Sequence, residues 1–174
     1  MEKNKNYLKK LDDILKLTCD ELDLIIGTNP KASKRPRKGK YSFYVPDANA
    51  NKKEIRKLIK DQIPSDFVRG DSEVYIDIKC YVKTLNAFSN TDKELAEDEY
   101  IRPITKPDVD NYAKTYLDAF NGLLWLDDGQ VVDLRTRKYY SENPRIEINI
   151  KFKRGFTSKY IERMQKNKQK WGYL

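Results

Sequence analysis

Asp108 and Asp110 stand two residues apart in the stretch KPDVDN, Lys114 follows one helical turn after Asp110, and Asp127-Asp128 forms a second acidic pair in LWLDDGQ. Carboxylates drawn from two places, with a lysine between them, suit a hard divalent cation. Magnesium takes oxygen ligands, keeps several waters, and is commonly held by one or two carboxylates plus substrate phosphate. Such an ion positions and acidifies a water and stabilises charge building on phosphoryl oxygens. Each half also has a plainer reading. An Asp before a helix caps it, and Asp-Asp-Gly before a strand makes a turn. Histidine is absent from all 174 residues, which removes serine–histidine and cysteine–histidine hydrolysis, histidine bases and histidine metal ligands together. Any hydrolysis must run through carboxylates, lysine and a metal.

The elements that hold these residues are legible around them. Pro107 and the acidic residues behind it mark a helix start, and Asn121-Gly122 marks its end. Between them Val109, Tyr112, Ala113, Tyr116, Leu117 and Phe120 recur at three- and four-residue intervals, giving one apolar face. Asp110, Lys114 and Asp118 stack along a different edge. Lys114 could stabilise a charged transition state, or simply pair with Asp110, an interaction worth only ~0.3–0.5 kcal/mol.

In this order and spacing, KPDVDN, Lys114 and LDAFNGLLWLDDGQVV resemble the signature of the RusA-type Holliday junction resolvases. That pattern runs K-P-D-L-D-N, a helix carrying a lysine, L-D-A-L, then D-D-x-Q-V. Looser likeness extends upstream to Asn29-Pro30-Lys31 and to Lys34-Arg35-Pro36-Arg37, and downstream to Lys138, so it spans about residues 22–153. The resemblance implies magnesium-dependent cleavage of four-way DNA junctions by a homodimer that nicks two opposed strands in recombination and repair, with manganese as a possible substitute. Carried over position by position, Asp108, Asp110 and Asp128 match the essential acidic residues and Lys114 the essential lysine. Asp127 is an adjacent, further candidate for the metal. An N-terminal extension, an acidic insert before the motif and a basic C-terminal tail depart from the family pattern and bear on partner contacts and dimer geometry.

The rest of the chain bounds these expectations. A formal net charge of +8 favours an anionic partner. Its distribution says more: 31–40 gathers Lys31, Lys34, Arg35, Arg37, Lys38 and Lys40 without one acidic residue. That stretch is either a solvated loop or one that grips phosphate, for which arginine's two-pronged geometry is suited. The resemblance tips this choice toward DNA and adds Lys138, so that Lys31, Lys34, Arg35, Arg37 and Lys138 are the DNA contacts it implies. Tyr41, Phe43 and Tyr44 behind the loop could anchor it to the core or stack on a base. Cys19 and Cys80 form no C-x-x-C unit, so zinc has no support, and each reads as a small buried side chain. No apolar run is long enough to span a bilayer and no signal-peptide pattern opens the sequence, so cytoplasmic residence is the expectation.

Periodicity predicts helices over 1–20 and 51–63, the motif helix, and a basic helix over 157–170 that is either a solvated tail or a second DNA contact. It predicts strands over 22–26 and 73–82, and two more over 130–140 and 145–152 joined as an antiparallel hairpin. The acidic stretch 86–102 lacks periodicity and reads as a mobile insert. The expected fold is one α/β (α+β) domain over 1–174 with a mixed sheet, helices mainly on one face, and order β-α-β-α-β-β between terminal helices. Two rival functions remain open: a basic DNA-binding module in which the carboxylates only cap and turn, and a metal nuclease for flaps, single strands or RNA.

Overall fold

In a computed structural model the described residues are 19–34, 37–38, 43–44, 47–70 and 72–153. The helices expected over 1–20 and 157–170 lie outside them, except that 19–20 open the first strand.

Alternating apolar residues build a four-stranded sheet from β1 (Cys19–Ile26), β4 (Val74–Lys83), β5 (Val131–Ser141) and β6 (Arg145–Lys153). β2 (Arg37–Lys38) and β3 (Phe43–Tyr44) form a separate small ladder. Three helices are described: α1 (Ala48–Ile59), α2 (Asn90–Glu97) and α3 (Val109–Phe120). The main sheet runs β1-β6-β4-β5, with β6 antiparallel to both β1 and β4 and β5 parallel to β4.

One face is the core. Leu22, Leu24 and Ile26 of β1, Val74, Ile76, Ile78 and Cys80 of β4, and Ile146, Ile148, Ile150 and Phe152 of β6 are all buried at two-residue spacing. They meet Ile55 and Ile59 of α1 and Tyr112, Tyr116, Ala119 and Phe120 of α3. Each such side chain contributes roughly 1.5–3 kcal/mol, whereas an exposed ion pair contributes about 0–1, so this face holds the fold. Burial pushes the Cys80 thiol up to about 12, so it packs as a small apolar group. The opposite face is charged and aromatic. There Arg137 pairs with Asp77. A layered stack also stands on this face: the Arg145 guanidinium lies 3.8 Å from the Tyr81 ring, Tyr81 stacks on Tyr139 at 5.1 Å, and Arg102 lies 4.2 Å beyond.

The sheet and the helices on one face follow the sequence, but three expectations change. First, β5 and β6 do not pair as a hairpin, because β4 lies between them. A link of only three residues, 142–144, crosses the end of β4. Four peptide steps reach about 13 Å and two strand spacings need about 10 Å, so the crossing is feasible. Second, 86–102 is not a structureless insert. Ser89 accepts a hydrogen bond from the Asp92 backbone N–H, and Asp92 accepts from the Ser89 N–H, a capping box that starts α2. Glu97 then ties α2 to the end of β5 through Ser141 Oγ and the Glu142 N–H. Third, the helix expected over 51–63 occupies Ala48–Ile59 with a 3-10 turn after it, and Leu58 faces outward.

Glu73, just before β4, accepts from Lys153 at the end of β6 and from the Tyr75 hydroxyl. Lys153 first and Tyr75 second hold its carboxyl below the ordinary range. A depressed carboxylate contributes stability that is present above its unfolded pKa and lost as pH falls through its folded one. Glu73→Gln is expected to lower the urea midpoint at pH 7, with the two proteins converging as pH drops through and below the usual carboxylate range. A gap that stays constant with pH would reject the assignment.

Candidate functional site

Helix α3 is fixed at both ends, and its polar edge is what those anchors position. Asp108 occupies its N-cap in extended backbone without making a side-chain capping bond, and Asp110 lies in its first turn. Both are exposed. Among the described residues Asp110 accepts only a long 3.3 Å bond from Asn111. Neither carboxylate is spent on the helix end, although both gain from the positive end of its dipole by about 0.3–1 kcal/mol. The approach to Asp108 is held by Lys138, whose Nζ donates to the carbonyls of Thr105 and Pro107 at 2.9 and 3.0 Å. Lys138, expected as a DNA contact, thus has its ammonium engaged by the motif's own loop.

The basic segment runs beside this end. Ser33 N–H donates to the Asn111 carbonyl at 2.9 Å and Lys31 N–H to the Tyr116 hydroxyl at 3.2 Å. The Lys31 ammonium pairs with Glu54 and the Lys34 ammonium with Asp47. That hydrogen bond and charge from Lys34 hold the Asp47 carboxyl low, with a smaller contribution from Arg37. Arg37 lies exposed in β2, and Arg35 is outside the described residues.

At the other end, Arg56 of α1 reaches across to α3. Its Nε donates to the Ala119 carbonyl and its Nη2 to that of Asn121, both at 2.7 Å, satisfying acceptors left open at a helix C-terminus. Gly122 then turns with φ +76, the left-handed region glycine enters freely, and its N–H donates to the Trp125 carbonyl. Trp125 is fully buried, and its indole N–H donates to Asp128 Oδ1 at 3.0 Å. Asp127 Oδ1 accepts from the Gly129 N–H at 2.9 Å. Gln130 closes the turn: its Oε1 accepts from Leu126 and Asp127 N–H, while its Nε2 donates to the carbonyls of Gly70 and Ser72. Gly70 has no room for a side chain, since a Cβ there would stand 2.7 Å from the Phe152 ring.

This turn delivers Asp128 to α3. The Asp118 carboxyl is raised, first by partial desolvation and then by the charge of Asp128, against the opposing pull of Lys114 and Lys52. The indole that holds Asp128 packs edge-on against Phe120, which sets the turn beside the C-terminal half of α3. Lys114 is exposed and forms no ion pair with Asp110 among the described residues. Asp110 lies two helical turns from Asp118, about 12 Å along the axis. The donors suit a hard cation in kind, being carboxylate oxygens. In arrangement they are not gathered: among the described residues no three acidic side chains lie close enough to hold an ion together.

Sequence reasoning left four contributors out of the site. Asp118 and Gln130 sit inside the quoted motif, as the Asp of LDAF and the Gln of DDGQ, so a signal existed. Trp125 reads as core. Arg56 has no local signal, because its partners lie 63 and 65 residues away.

Comparison with known proteins gives the family. The family model described as Endodeoxyribonuclease RusA matches residues 27–151, which include α3, both acidic pairs and Gln130. The chain is 41% identical over 139 residues to a protein of Bacillus subtilis (strain 168) named Uncharacterized protein YqaN, covering 76% of this chain and 96% of that one. A DNA-cutting enzyme is the class these matches define. The chain belongs to the RusA endodeoxyribonuclease family. No described helix is long and apolar enough to cross a membrane.

Gln130→Ala removes four hydrogen bonds and strands two N–H donors and two carbonyls that are only partly exposed. It is expected to cost about 2–3 kcal/mol in urea unfolding and to accelerate amide exchange at Leu126 and Asp127 in particular. Unchanged exchange at those two residues would show that the turn does not depend on this side chain.

Proposed function

We propose that the chain, as one nuclease domain over 1–174, is a magnesium-dependent endonuclease that resolves four-way DNA junctions by paired nicks, acting as a homodimer in recombination and repair. The reading is supported by the turn, pinned by Trp125 and Gln130, that holds Asp128 beside α3, the helix that bears Asp110 and Lys114. Family membership supports the nuclease class.

Asp108, Asp110 and Asp128 would hold the ion, with Asp127 beside them. When bound, a divalent ion supplies an acidified water and stabilises charge on the phosphoryl oxygens. Lys114 offers an ammonium not committed to Asp110, placed to stabilise the phosphoryl charge or the departing oxygen. Lys31, Lys34, Arg35 and Arg37 would grip flanking phosphates. For Lys31 and Lys34 this means exchanging Glu54 and Asp47 for DNA, so binding should weaken steeply with salt. Two equal sites at a fixed separation would select a junction whose arms bring two phosphates to that spacing.

One observation favours a rival. The carboxylates are not gathered, as expected of a basic DNA-binding module in which they only cap and turn. Cleavage separates the two readings. Wild type should nick a four-way junction with Mg²⁺ and stop with EDTA. Asp110→Asn should keep its fold and junction binding while its rate falls by at least about 10³-fold, the scale of losing a charge-stabilising group. Retained cleavage in that variant discards the site; binding indifferent to Mg²⁺ without any nicking establishes the silent module. Preference for a flap, a single strand or RNA would move the substrate and leave the chemistry.

A further inference from the structure

The outer edge of β5 carries a self-complementary pattern. Among the described residues β5 pairs only with β4, so its other side is a free edge. Its C-terminal half is occupied. Glu97 bonds Ser141, Phe88 packs on Tyr140, Arg102 covers Tyr139, and Lys138 holds the loop at Thr105 and Pro107. The N-terminal half, 131–136, has none of these covers. On its core-side face Leu134 remains 41% exposed, Val132 at the register shift beside it is 56% exposed, and Ile104, next to the Lys138-bound Thr105, is 96% exposed. On the other face Asp133 and Arg135 stand two residues apart with no ion pair among the described residues. Arg137, Lys153 and Arg145 on that same face all have carboxylate partners.

We infer that this edge is the surface on which two copies of the chain meet, antiparallel, about a two-fold axis through Leu134. Side-chain alternation restricts the choice of register. Opposite residues in an antiparallel pair must share a face, so a two-fold axis normal to the sheet passes through a residue and not between two. Centring on Asp133 sets two Asp133 carboxylates against each other, and centring on Arg135 does the same with two guanidinium groups. Centring on Thr136 puts Arg135 against Arg137. Only Leu134 sets Asp133 of each copy opposite Arg135 of the other, forming two cross-strand ion pairs, with leucine against leucine on the core side. The pairing register shifts where β5 passes between Val131 and Asp133, which ends the regular edge just outside this span. The two sheets would join into one of eight strands.

The inference deepens the homodimer of the proposed function by naming its surface. Its test uses neither DNA nor metal. Variants that dimerise like wild type would remove this surface and leave the homodimer standing. A monomeric wild type would remove the homodimer and leave the nuclease chemistry to its own cleavage test. Sedimentation of the full chain should show a concentration-dependent dimer. Asp133→Arg and Arg135→Asp each place like charges opposite one another twice per dimer, and should weaken association by about tenfold or more. The double exchange D133R/R135D should restore it, and circular dichroism should be unchanged throughout because both side chains are exposed. A monomeric wild type would mean that these charges merely block edge pairing, and would overturn the inference. So would single variants that dimerise like wild type, or a double exchange that fails to recover.

Discussion

The hydrogen bond from the buried indole of Trp125 to Asp128 is the constraint on which the site rests. A carboxylate in a surface turn ordinarily samples several rotamers, and this one is tied to the largest fully buried side chain among the described residues. Through Trp125 its position depends on the packing of Phe120, Leu124 and the sheet. Through Gln130 it depends on the strand entry at Gly70 and Ser72. The acidic turn is therefore tied to the folded core although Asp127 and Asp128 themselves are only half-buried. Helix α3 is treated the same way, clamped by Lys138 before it begins and by Arg56 where it ends.

Cations in this protein are divided between structure and surface. Lys138, Arg56, Arg102 and Arg145 are engaged with carbonyls or aromatic rings and serve placement. Lys31 and Lys34 carry exchangeable carboxylate partners on or beside α1, while Lys114 and Arg37 are exposed near α3 and α1. The net charge of +8 overstates what a phosphate backbone could meet directly, since several of those charges are already satisfied inside the fold. A lysine's place in a motif does not reveal which of the two duties it performs. Lys138 illustrates this, because its strand position follows the family pattern while its ammonium faces the loop ahead of Asp108.

What the sequence revealed and what it hid divides by range. The extent of α3, the alternation of β1, β4 and β6 and the break at Gly122 are local properties, set by three-to-four or two-residue spacing, and were legible. Strand order was not. The segments 130–140 and 145–152 look like a hairpin because their connection is short, and only the sheet shows that β4 runs between them. The α2 helix was hidden by its acidic composition, although Ser89 and Asp92 carried its capping signal. Arg56 and the Gly70 carbonyl act across more than fifty residues, a range at which no pattern in the chain announces a contact. Asp118 and Gln130 stood inside the quoted motif and were passed over because their roles are defined by neighbours in space.

The start of α3 and the Asp127-Asp128 turn are proposed to act on one divalent ion, although among the described residues no three acidic side chains lie together. Diffraction from crystals soaked in Mn²⁺ tests this most directly. The account predicts an anomalous peak contacted by Asp128 and by Asp108 or Asp110, with α3 and the indole bond of Trp125 kept in place. Manganese bound elsewhere on the protein, with that position empty at millimolar concentration, would contradict it.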